Sequence, residues 1–394
     1  MSTPPLDLPL TQDHPALVAA ADVVARVRTD APLRASLAET IGPASGLHPA
    51  SVEALLLRWC DGFRADAFVA RARTLADTRV RVRGPVVIVA PSNLPVAAWT
   101  ASLEALTFGL DVRLRPGSGD PQGPPALEAL LRQVAPALAS RLRIVRTTRT
   151  DDAAWNALLG GAGAVVAFGA DASLDALAAR IPPSVPLRRH GSKVSLGALV
   201  GPPAVGADAI VQGLLDDALL ADGRGCLSLR AIWVAGTVAD AEAWATRLAE
   251  QAGAAARRWP AGRLDLRLAA AARLAIESDR LDAALGGGRV FAGDALVVSV
   301  RALAPGERLD AAAIGPGAGL LRVFAVAPER SPAEFLAPLA GHLAAVSWPG
   351  AEGFALGDPT GAGFYAHPAP GWMQSPRWDC HDGIPAGQGL FEEA

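Results

Sequence analysis

The chain has 394 residues, a hydrophobic content of 51% and a net charge of −3. This length favours two or three packed units, and the apolar content excludes a disordered chain. The weak net charge argues against a nucleic-acid groove or an anionic membrane surface as a partner, and no apolar run reaches the roughly 18 residues of a membrane span.

The three cysteines are Cys60, Cys226 and Cys380, and no two of them form a CxxC pair. Sparse, unpaired cysteines are typical of a reduced, cytoplasmic protein, and the first residues lack the pattern of a secretory signal. This spacing excludes a cysteine-rich zinc site, and we predict no metal site.

The first 80 residues are predicted to be helical. Apolar residues recur at helical spacing through 51–76, and prolines interrupt the pattern elsewhere. Cys60 belongs to this apolar pattern, so we interpret it as a buried structural thiol.

From residue 84 onward, short β-branched runs alternate with helical segments. The predicted strands lie in GPVVIVAP, DVRLRP, RLRIVRTT, AVVAFG and PLRRHGSKVSLGALV, with the last segment taken as one strand. This alternation predicts βαβ units and a parallel, doubly wound sheet. Ligands of such sheets bind at the carboxyl ends of the strands.

A second α/β unit is predicted after this sheet. Residues 206–223 have a helical pattern, 224–236 form a turn that leads into a strand, and 240–259 are again helical. Residues 349–394 are rich in glycine and proline and are predicted to be a loop-rich segment that packs back on the body.

Cys226 is the candidate nucleophile. It follows Gly-Arg-Gly and precedes a predicted strand, so the backbone can turn tightly and approach a ligand. A thiolate at such a place attacks carbonyl carbon well. An isolated cysteine is more often structural, but the flanking glycines favour the reactive role here.

Asn93 follows the first strand, and its amide can donate to an oxyanion, although spacing alone favours an asparagine that bonds its own turn. Phe168 and Gly169 end the fourth strand before a helix whose free N–H groups can receive a phosphate, but there is no GxGxxG fingerprint. Arg115 ends the second strand, where it suits a ribose 2′-phosphate and can equally be a solvated surface residue.

Together these segments resemble the aldehyde dehydrogenase superfamily, and most closely its acyl-CoA reductase branch, the LuxC-like proteins. The segments that carry the resemblance are APSNLP, LRP, AFG, HGSKVSLGALV, GRGCLS with AIWV, and the tail WDCHDG. The resemblance implies an aldehyde-dehydrogenase-like α/β fold, with two doubly wound α/β domains and the active site in the cleft between them.

The implied organisation has four parts. They are an N-terminal helical segment packing on the cofactor domain (1–80), a dinucleotide-binding domain (81–198), a catalytic domain carrying the cysteine nucleophile (199–348) and a C-terminal loop-rich segment (349–394).

The resemblance also implies roles for individual residues. Cys226 falls on the family's nucleophile and Asn93 on its oxyanion amide, and His381 matches part of the C-terminal motif as a proton carrier. A surface histidine in a loop is an equally good interpretation of His381. The implied cofactor-binding residues are Ser92, Arg115, Ser118, Phe168, Gly169, Gly191, Ser192 and Lys193.

One departure from the family pattern concerns the stretch Arg-His-Gly-Ser-Lys. Hydrolytic aldehyde dehydrogenases carry Glu-Leu-Gly-Gly-Lys there, so Arg189 replaces the carboxylate base. Arginine does not deprotonate water near neutral pH, so the acyl-enzyme should not be hydrolysed efficiently. Lys193, the chain's single lysine, is expected to help bind phosphate or order its strand, unless it survives there by chance.

The resulting prediction is a cytoplasmic, homo-oligomeric acyl-CoA reductase. It would reduce an acyl thioester, carried by CoA or an acyl carrier protein, to the aldehyde with NADPH, or alternatively NADH, through an acyl-enzyme on Cys226. The alternatives are a cysteine-dependent acyltransferase or thioesterase, a CoA-acylating aldehyde dehydrogenase, and a non-enzymatic scaffold. No nucleic acid and no membrane span are expected.

Overall fold

The structure is a computed structural model, and it describes residues 8–78, 84–148, 150–349 and 368–391. The described residues form two compact units, each with its own large sheet. The first unit comprises the described parts of Met1–Ser45, Val52–Ser192 and Ser375–Ala394, and the second comprises Gly46–Ser51 and those of Lys193–Gln374.

The helices and strands alternate as predicted from residue 84 onward. The helices are α1 (Pro15–Thr29), α2 (Ala31–Ser45), α3 (Pro49–Asp61), α4 (Ala65–Asp77), α5 (Ala97–Thr107), α6 (Gly123–Val134), α7 (Pro136–Ala139), α8 (Asp152–Leu159), α9 (Asp171–Ala178), α10 (Asp208–Leu219), α11 (Val238–Arg258), α12 (Leu266–Ala284), α13 (Ala311–Ile314) and α14 (Pro332–Leu336). The strands are β1 (Val86–Val89), β2 (Val112–Arg115), β3 (Leu142–Ile144), β4 (Ala164–Phe168), β5 (Leu187–His190), β6 (Val194–Val200), β7 (Leu229–Ala235), β8 (Arg289–Ala292), β9 (Val297–Ala302), β10 (Leu320–Val326), β11 (Leu343–Ser347), β12 (Cys380–His381) and β13 (Ile384–Pro385).

The first unit is built on a fully parallel five-stranded sheet of order β3-β2-β1-β4-β5. Its central strand, β1, is a continuous apolar run that is buried along its whole length, which is typical of a parallel strand covered on both faces. The direction of winding changes between β1 and β4, and a doubly wound sheet binds its ligand at such a point. The predicted parallel sheet is confirmed.

The N-terminal helices also belong to the first unit, where α1 and α2 pack against α6. The single helical pattern of 51–76 is divided between α3 and α4. Cys60 is 1% exposed, and its Sγ lies 3.6 Å from the carbonyl oxygen of Val24. Its predicted burial is confirmed.

The second unit contains a six-stranded sheet of order β11-β6-β7-β10-β9-β8, in which β8 pairs with β9 in the antiparallel direction and the other pairs are parallel. The long amphipathic helix α11 begins with a capping box. Thr237 Oγ1 accepts the N–H of Asp240, while the Asp240 carboxylate accepts the N–H of Thr237. The predicted two-unit α/β fold is thus confirmed.

The prediction of a single strand over residues 186–200 is wrong. This segment contains two strands, because β5 pairs with β4 in the first sheet while β6 pairs with β7 and β11 in the second. The chain leaves the first sheet at Gly191 and Ser192, where the N–H of Ser192 donates to the Asp171 carboxylate at 3.0 Å. The predicted boundary at 198/199 therefore falls inside β6, whereas the two units divide after Ser192.

The C-terminal segment is described in part, since 350–367 and 392–394 of the predicted segment 349–394 lie outside the described residues. Trp378 is buried in the first unit, with its ring centre 4.7 Å from that of Trp59. A Cβ built on Gly62 would lie 1.7 Å from the carbonyl oxygen of Pro376, so only glycine permits this approach. Among the described residues, no helix is long and apolar enough to cross a membrane.

Candidate active site

The loops after β1 and β2 meet at the carboxyl end of the first sheet. The hydroxyl oxygens of Ser92 and Ser118 are 3.2 Å apart. A Cβ built on Gly117 or Gly119 would lie 2.1 Å from the carbonyl oxygen of Pro91 or Ser92 respectively, so these two loops can touch only because both positions are glycine. Asn93 is exposed in the bend after β1.

Arg115 is held rigidly at the end of β2. Its Nε donates to Thr147 Oγ1 at 2.8 Å, and its guanidinium lies 4.9 Å from the ring centre of Trp155. The side chain is therefore a fixed cation at a strand end rather than a freely solvated arginine. Its recognition of a 2′-phosphate stays a prediction.

Asp171 links the loops after β4 and β5. Because its carboxylate accepts the N–H of Ser192, it turns toward Gly191 and away from the start of α9. The N–H of Gly169 donates to the carbonyl oxygen of His190 at 3.2 Å. Four of the predicted cofactor-binding residues thus lie at the adjacent, mutually bonded ends of β4 and β5: Phe168, Gly169, Gly191 and Ser192.

His190 is a site residue that sequence reasoning missed. Its Nδ1 forms a 2.7 Å hydrogen bond with Asp382 Oδ2, and both side chains are 3% exposed. Its ring stacks on Phe168, with centres 4.5 Å apart and an interplanar angle of 13°. In the structure His190 lies on the same face of β5 as the buried Arg188, and no local sequence pattern marks its partner.

Asp382 reaches this position through a tight hairpin. The strands β12 and β13 pair in the antiparallel direction, and Asp382 and Gly383 connect them with φ values of 53° and 77°. Positive φ at both residues is characteristic of the type I′ turn that Asp-Gly favours. Asp382 and Gly383, the Asp-Gly of the motif WDCHDG, therefore form the turn that places the Asp382 carboxylate beside His190.

His381 joins the same cluster. Its ring centre lies 4.6 Å from that of His190, and its Nε2 lies 3.8 Å from Asp382 Oδ2. Its side chain is 11% exposed, so it is not a surface loop residue. Its role as a proton carrier stays a prediction.

The cluster also has the chemistry of a metal-binding group. One ligand atom from each of His190, His381 and Asp382 lies within 4.8 Å of the others. Two imidazoles and a carboxylate suit a divalent transition metal. The hydrogen bond between His190 and Asp382 already explains their approach, and our prediction of no metal site remains a prediction.

Arg188 lies on the same face of β5 as His190, and it also holds the C-terminal segment. Its Nη1 lies 2.9 Å from both carboxylate oxygens of Glu104, and its Nε donates to the carbonyl oxygen of Gln388 at 3.0 Å. The Glu104 carboxylate in turn accepts the N–H of Gly387. Arg189 lies on the opposite face, where it pairs with Asp175.

Cys226 lies in the second unit, within a turn closed by a 3.1 Å bond from the Ser228 N–H to the carbonyl oxygen of Gly225. Its own carbonyl oxygen accepts the Ser195 hydroxyl at 2.8 Å, and Gln374 donates to the Ser228 hydroxyl at 2.7 Å. The thiol residue is half-buried and lies three residues before the start of β7, at the amino end of the second sheet.

The residues before this turn adopt a strained backbone. Ala221 and Asp222 have φ values of 62° and 55°, in the left-handed region, followed by Gly223 at 66°. Such non-glycine residues cost roughly 1–3 kcal/mol each and persist where their surroundings fix them. Asp222 is fixed by an ion pair with Arg224 at 2.9 Å and by the N–H of Gly262 at 3.1 Å.

Lys193 also belongs to the second unit. Its ammonium donates to the carbonyl oxygen of Gly341 at 2.6 Å, just before β11. This bond links the residue before β6 to the turn before β11, while the ordering of its strand stays a prediction. An ammonium has further donors, so its contact with a phosphate stays a prediction.

The three thiols differ in their surroundings. Burial raises the pKa of Cys60 to about 12. Burial is also the main cause that raises the pKa of Cys380. Both shifts disfavour a thiolate at Cys60 and Cys380.

The described residues form two α/β units. One unit has polar loops after the strands of its sheet, and the other has a thiol before its sheet. These are the features of an aldehyde-dehydrogenase-like protein. The structure is similar to an oxidoreductase from Marinobacter aquaeolei (TM-score 0.68, 13% identity, 98% of this chain and 83% of that chain). It is also similar to aldehyde dehydrogenase 21 from Physcomitrella patens in complex with succinate (TM-score 0.67, 13% identity, 96% of this chain and 84% of that chain). A third similar structure is lactaldehyde dehydrogenase from Escherichia coli (TM-score 0.61, 13% identity, 90% of this chain and 79% of that chain).

Residues 68–304 match the family model described as acyl-CoA reductase (LuxC), and the chain belongs to this family. No curated protein sequence gives a significant match. The resemblance inferred from the sequence is confirmed. The chain is therefore an oxidoreductase of the class that reduces acyl groups to aldehydes, and the family and the fold indicate a nicotinamide cofactor.

Proposed function

We propose that this chain reduces an acyl thioester, carried by CoA or an acyl carrier protein, to the aldehyde with NADPH through an acyl-enzyme on Cys226. The observation that carries the proposal is the turn around Cys226. Ser195 holds the carbonyl oxygen of this residue, and the strained loop before it is fixed by Asp222. Strain retained beside a thiol points to a functional position.

The proposed acylation uses only groups of this chain. The Cys226 thiolate attacks the thioester carbon, a new carbon–sulfur bond forms, and the carrier thiolate leaves and takes up a proton. The Asn93 amide and the backbone N–H of Cys226 are the proposed donors to the oxyanion. His381 is the proposed proton carrier.

The groups at the carboxyl end of the first sheet fit a nicotinamide dinucleotide. Ser92 and Ser118 offer hydroxyls, and Arg115 offers a fixed cation that suits the 2′-phosphate of NADPH, with NADH as the alternative. The space beside Gly169 also suits the cofactor, because a Cβ atom built on this glycine would lie 3.8 Å from the nearest other atom and would not clash. The bound cofactor would supply a hydride to the acyl carbon.

Arg189 supports reduction over hydrolysis of the acyl-enzyme. Its guanidinium is paired with Asp175, and a guanidinium does not remove a proton from water near neutral pH. The acyl-enzyme would therefore persist until a hydride reaches it.

Intact-mass measurement after incubation with a panel of acyl-CoAs and acyl carrier proteins tests the proposal. We expect an acyl adduct on the unaltered chain and on Cys60→Ser, but none on Cys226→Ala. Added NADPH should release aldehyde and be oxidised in equal amount. An adduct that forms without NADPH oxidation would favour an acyltransferase or thioesterase instead.

The expected homo-oligomer also stays a proposal. Helix α12 and the residue after it expose four leucines at 61–87%, and they recur at helical spacing: Leu266, Leu274, Leu281 and Leu285. An exposed apolar stripe of this kind is a surface that an oligomer would bury. Light scattering of the unaltered chain and of Leu274→Glu tests this, and a monomer in both cases would contradict it.

A further inference from the structure

The turn that contains Cys226 is closed by two hydrogen bonds between its end residues. The N–H of Ser228 donates to the carbonyl oxygen of Gly225 at 3.1 Å, and the N–H of Gly225 donates to the Ser228 hydroxyl at 3.1 Å. Cys226 is one of the two residues between them, and Ser228 is fully buried. The position of the Ser228 hydroxyl oxygen therefore helps to fix the backbone of Cys226.

A glutamine 146 positions further along the chain holds this hydroxyl. Gln374 is 3% exposed, and its Nε2 donates to Ser228 Oγ at 2.7 Å. A hydroxyl oxygen has two acceptor lone pairs, and the N–H of Gly225 and the amide of Gln374 use both of them. Because burying a side-chain amide is costly unless it is hydrogen-bonded, this bond also keeps Gln374 in place.

The segment that carries Gln374 is itself anchored within the second unit. Asp217 of α10 is 1% exposed, and its carboxylate accepts the N–H of Gly371 at 2.6 Å and that of Met373 at 3.0 Å. A Cβ built on Gly213, one turn earlier in α10, would lie 2.5 Å from a backbone carbon of this segment. Helix α10 thus sets where the Gln374 amide meets the turn.

We propose that Gln374 is a positioning residue for Cys226. By holding the Ser228 hydroxyl, it keeps the turn in one conformation, so that the thiol and the N–H of Cys226 reach the acyl carbon and its oxygen together. Orientation matters for such a step, since a displacement of about 1 Å lowers a rate by about 100-fold. The step itself rests on the proposed function, whereas the rigidity of the turn is measurable without any substrate.

Amide hydrogen exchange of peptides covering residues 224–229, followed by mass spectrometry, tests this rigidity. Gln374→Met removes the donor and keeps a side chain of similar length, so the turn should exchange about two- to tenfold faster, as expected for the loss of one hydrogen bond. Gln251→Met is the matched control, because Gln251 Nε2 donates to Asp208 at 2.9 Å in an exposed bond outside the turn. Unchanged exchange of the turn in Gln374→Met overturns the proposal.

The second test compares two reactions of the thiol in a Cys60→Ser, Cys380→Ser background. With the acyl-CoA that forms the most adduct, Gln374→Met should slow adduct formation at saturation about 10- to 100-fold and leave the half-saturating concentration nearly constant. Alkylation by iodoacetamide should also stay nearly constant, because this reagent uses no oxyanion donor. A loss of both reactions to the same extent would mean that Gln374 only supports folding, which overturns the proposal.

Ser228→Ala removes the hydroxyl itself and tests the proposal even if Gln374→Met does not fold. It should slow adduct formation at least as much as Gln374→Met, and the double variant should be no slower than Ser228→Ala alone, since both changes act through one hydroxyl. An unchanged rate in Ser228→Ala, or additive losses, overturns the proposal. If the unaltered chain forms no adduct with any acyl-CoA, the proposed function is contradicted instead, and amide exchange then decides the role of Gln374.

Discussion

The two units present their candidate functional groups at opposite ends of their sheets. In the first unit, Ser92, Ser118 and His190 all lie at or after the carboxyl ends of parallel strands. In the second unit, Lys193 and Cys226 stand before the strands β6 and β7, at the amino ends. Parallel sheets bind ligands at the carboxyl ends of their strands. This rule predicts the position of the candidate residues in the first unit but not of those in the second unit. The thiol is positioned by a strained loop and a braced turn.

Cys226→Ala should have the largest effect, because it removes the reacting atom at the amino end of the second sheet. We expect reduction of acyl-CoA to fall by at least about a thousandfold, as when other covalent nucleophiles are deleted. NADPH oxidation in the presence of acyl-CoA measures this loss. Binding of NADPH should change little, because Cys226 is not among its proposed contacts.

The matched control is Cys380→Ser, which alters a thiol of the first unit that is not proposed to react. Equal losses of reductase activity in the two variants, or activity retained in Cys226→Ala, would contradict the prediction that the reacting thiol lies at the amino end of the second sheet.

Arg188→Met should strongly destabilise the first unit. It leaves the carboxylate of Glu104, which is 3% exposed, without its cation, and breaking a buried pair on one side costs about 3–5 kcal/mol. The free energy of unfolding in urea measures the cost. The double variant Arg188→Met, Glu104→Met should recover much of it. A single-variant cost no larger than that of the double variant would show that the pair does not hold the tail.

Asn93→Ala should lower kcat about 100- to 1,000-fold, the usual effect of removing one oxyanion donor. The binding constant for NADPH should stay nearly constant, so the first unit would contribute to chemistry as well as to cofactor binding. Asn156→Ala, an exposed asparagine of α8, is the control. A loss of less than tenfold would restrict Asn93 to bonding its own turn.

The strands β1 and β4 of the first sheet were predictable because each is a short apolar run followed by turn residues. The split between β5 and β6 was not, since it depends on Asp171 bonding Ser192 across 21 positions of the chain. The pairing of His190 with Asp382 spans 192 positions and leaves no local pattern. The assignment of Cys226 as nucleophile stays a prediction that rests on its flanking glycines and the family resemblance.

Asp120→Asn should have the smallest effect and a clear pH dependence. Asp120 supports the loop of Ser118, where its carboxylate accepts the Gly123 N–H at 2.9 Å, and burial raises its pKa to about 6. Its pKa in the unfolded chain is about 3.9, so between these values the folded state binds a proton that the unfolded state releases. This group's contribution to stability therefore falls as the pH rises from about 4 to about 6 and stays low above that.

An asparagine keeps the acceptor oxygen for Gly123 without the cost of a buried charge. The variant should thus be more stable than the unaltered chain at pH 7, by about 3 kcal/mol at most, with the difference vanishing near pH 4. Urea unfolding at both pH values measures this, and Asp111→Asn, at a carboxylate that is 69% exposed, is the control. A difference of equal size at both pH values would show that folding does not raise the pKa of Asp120.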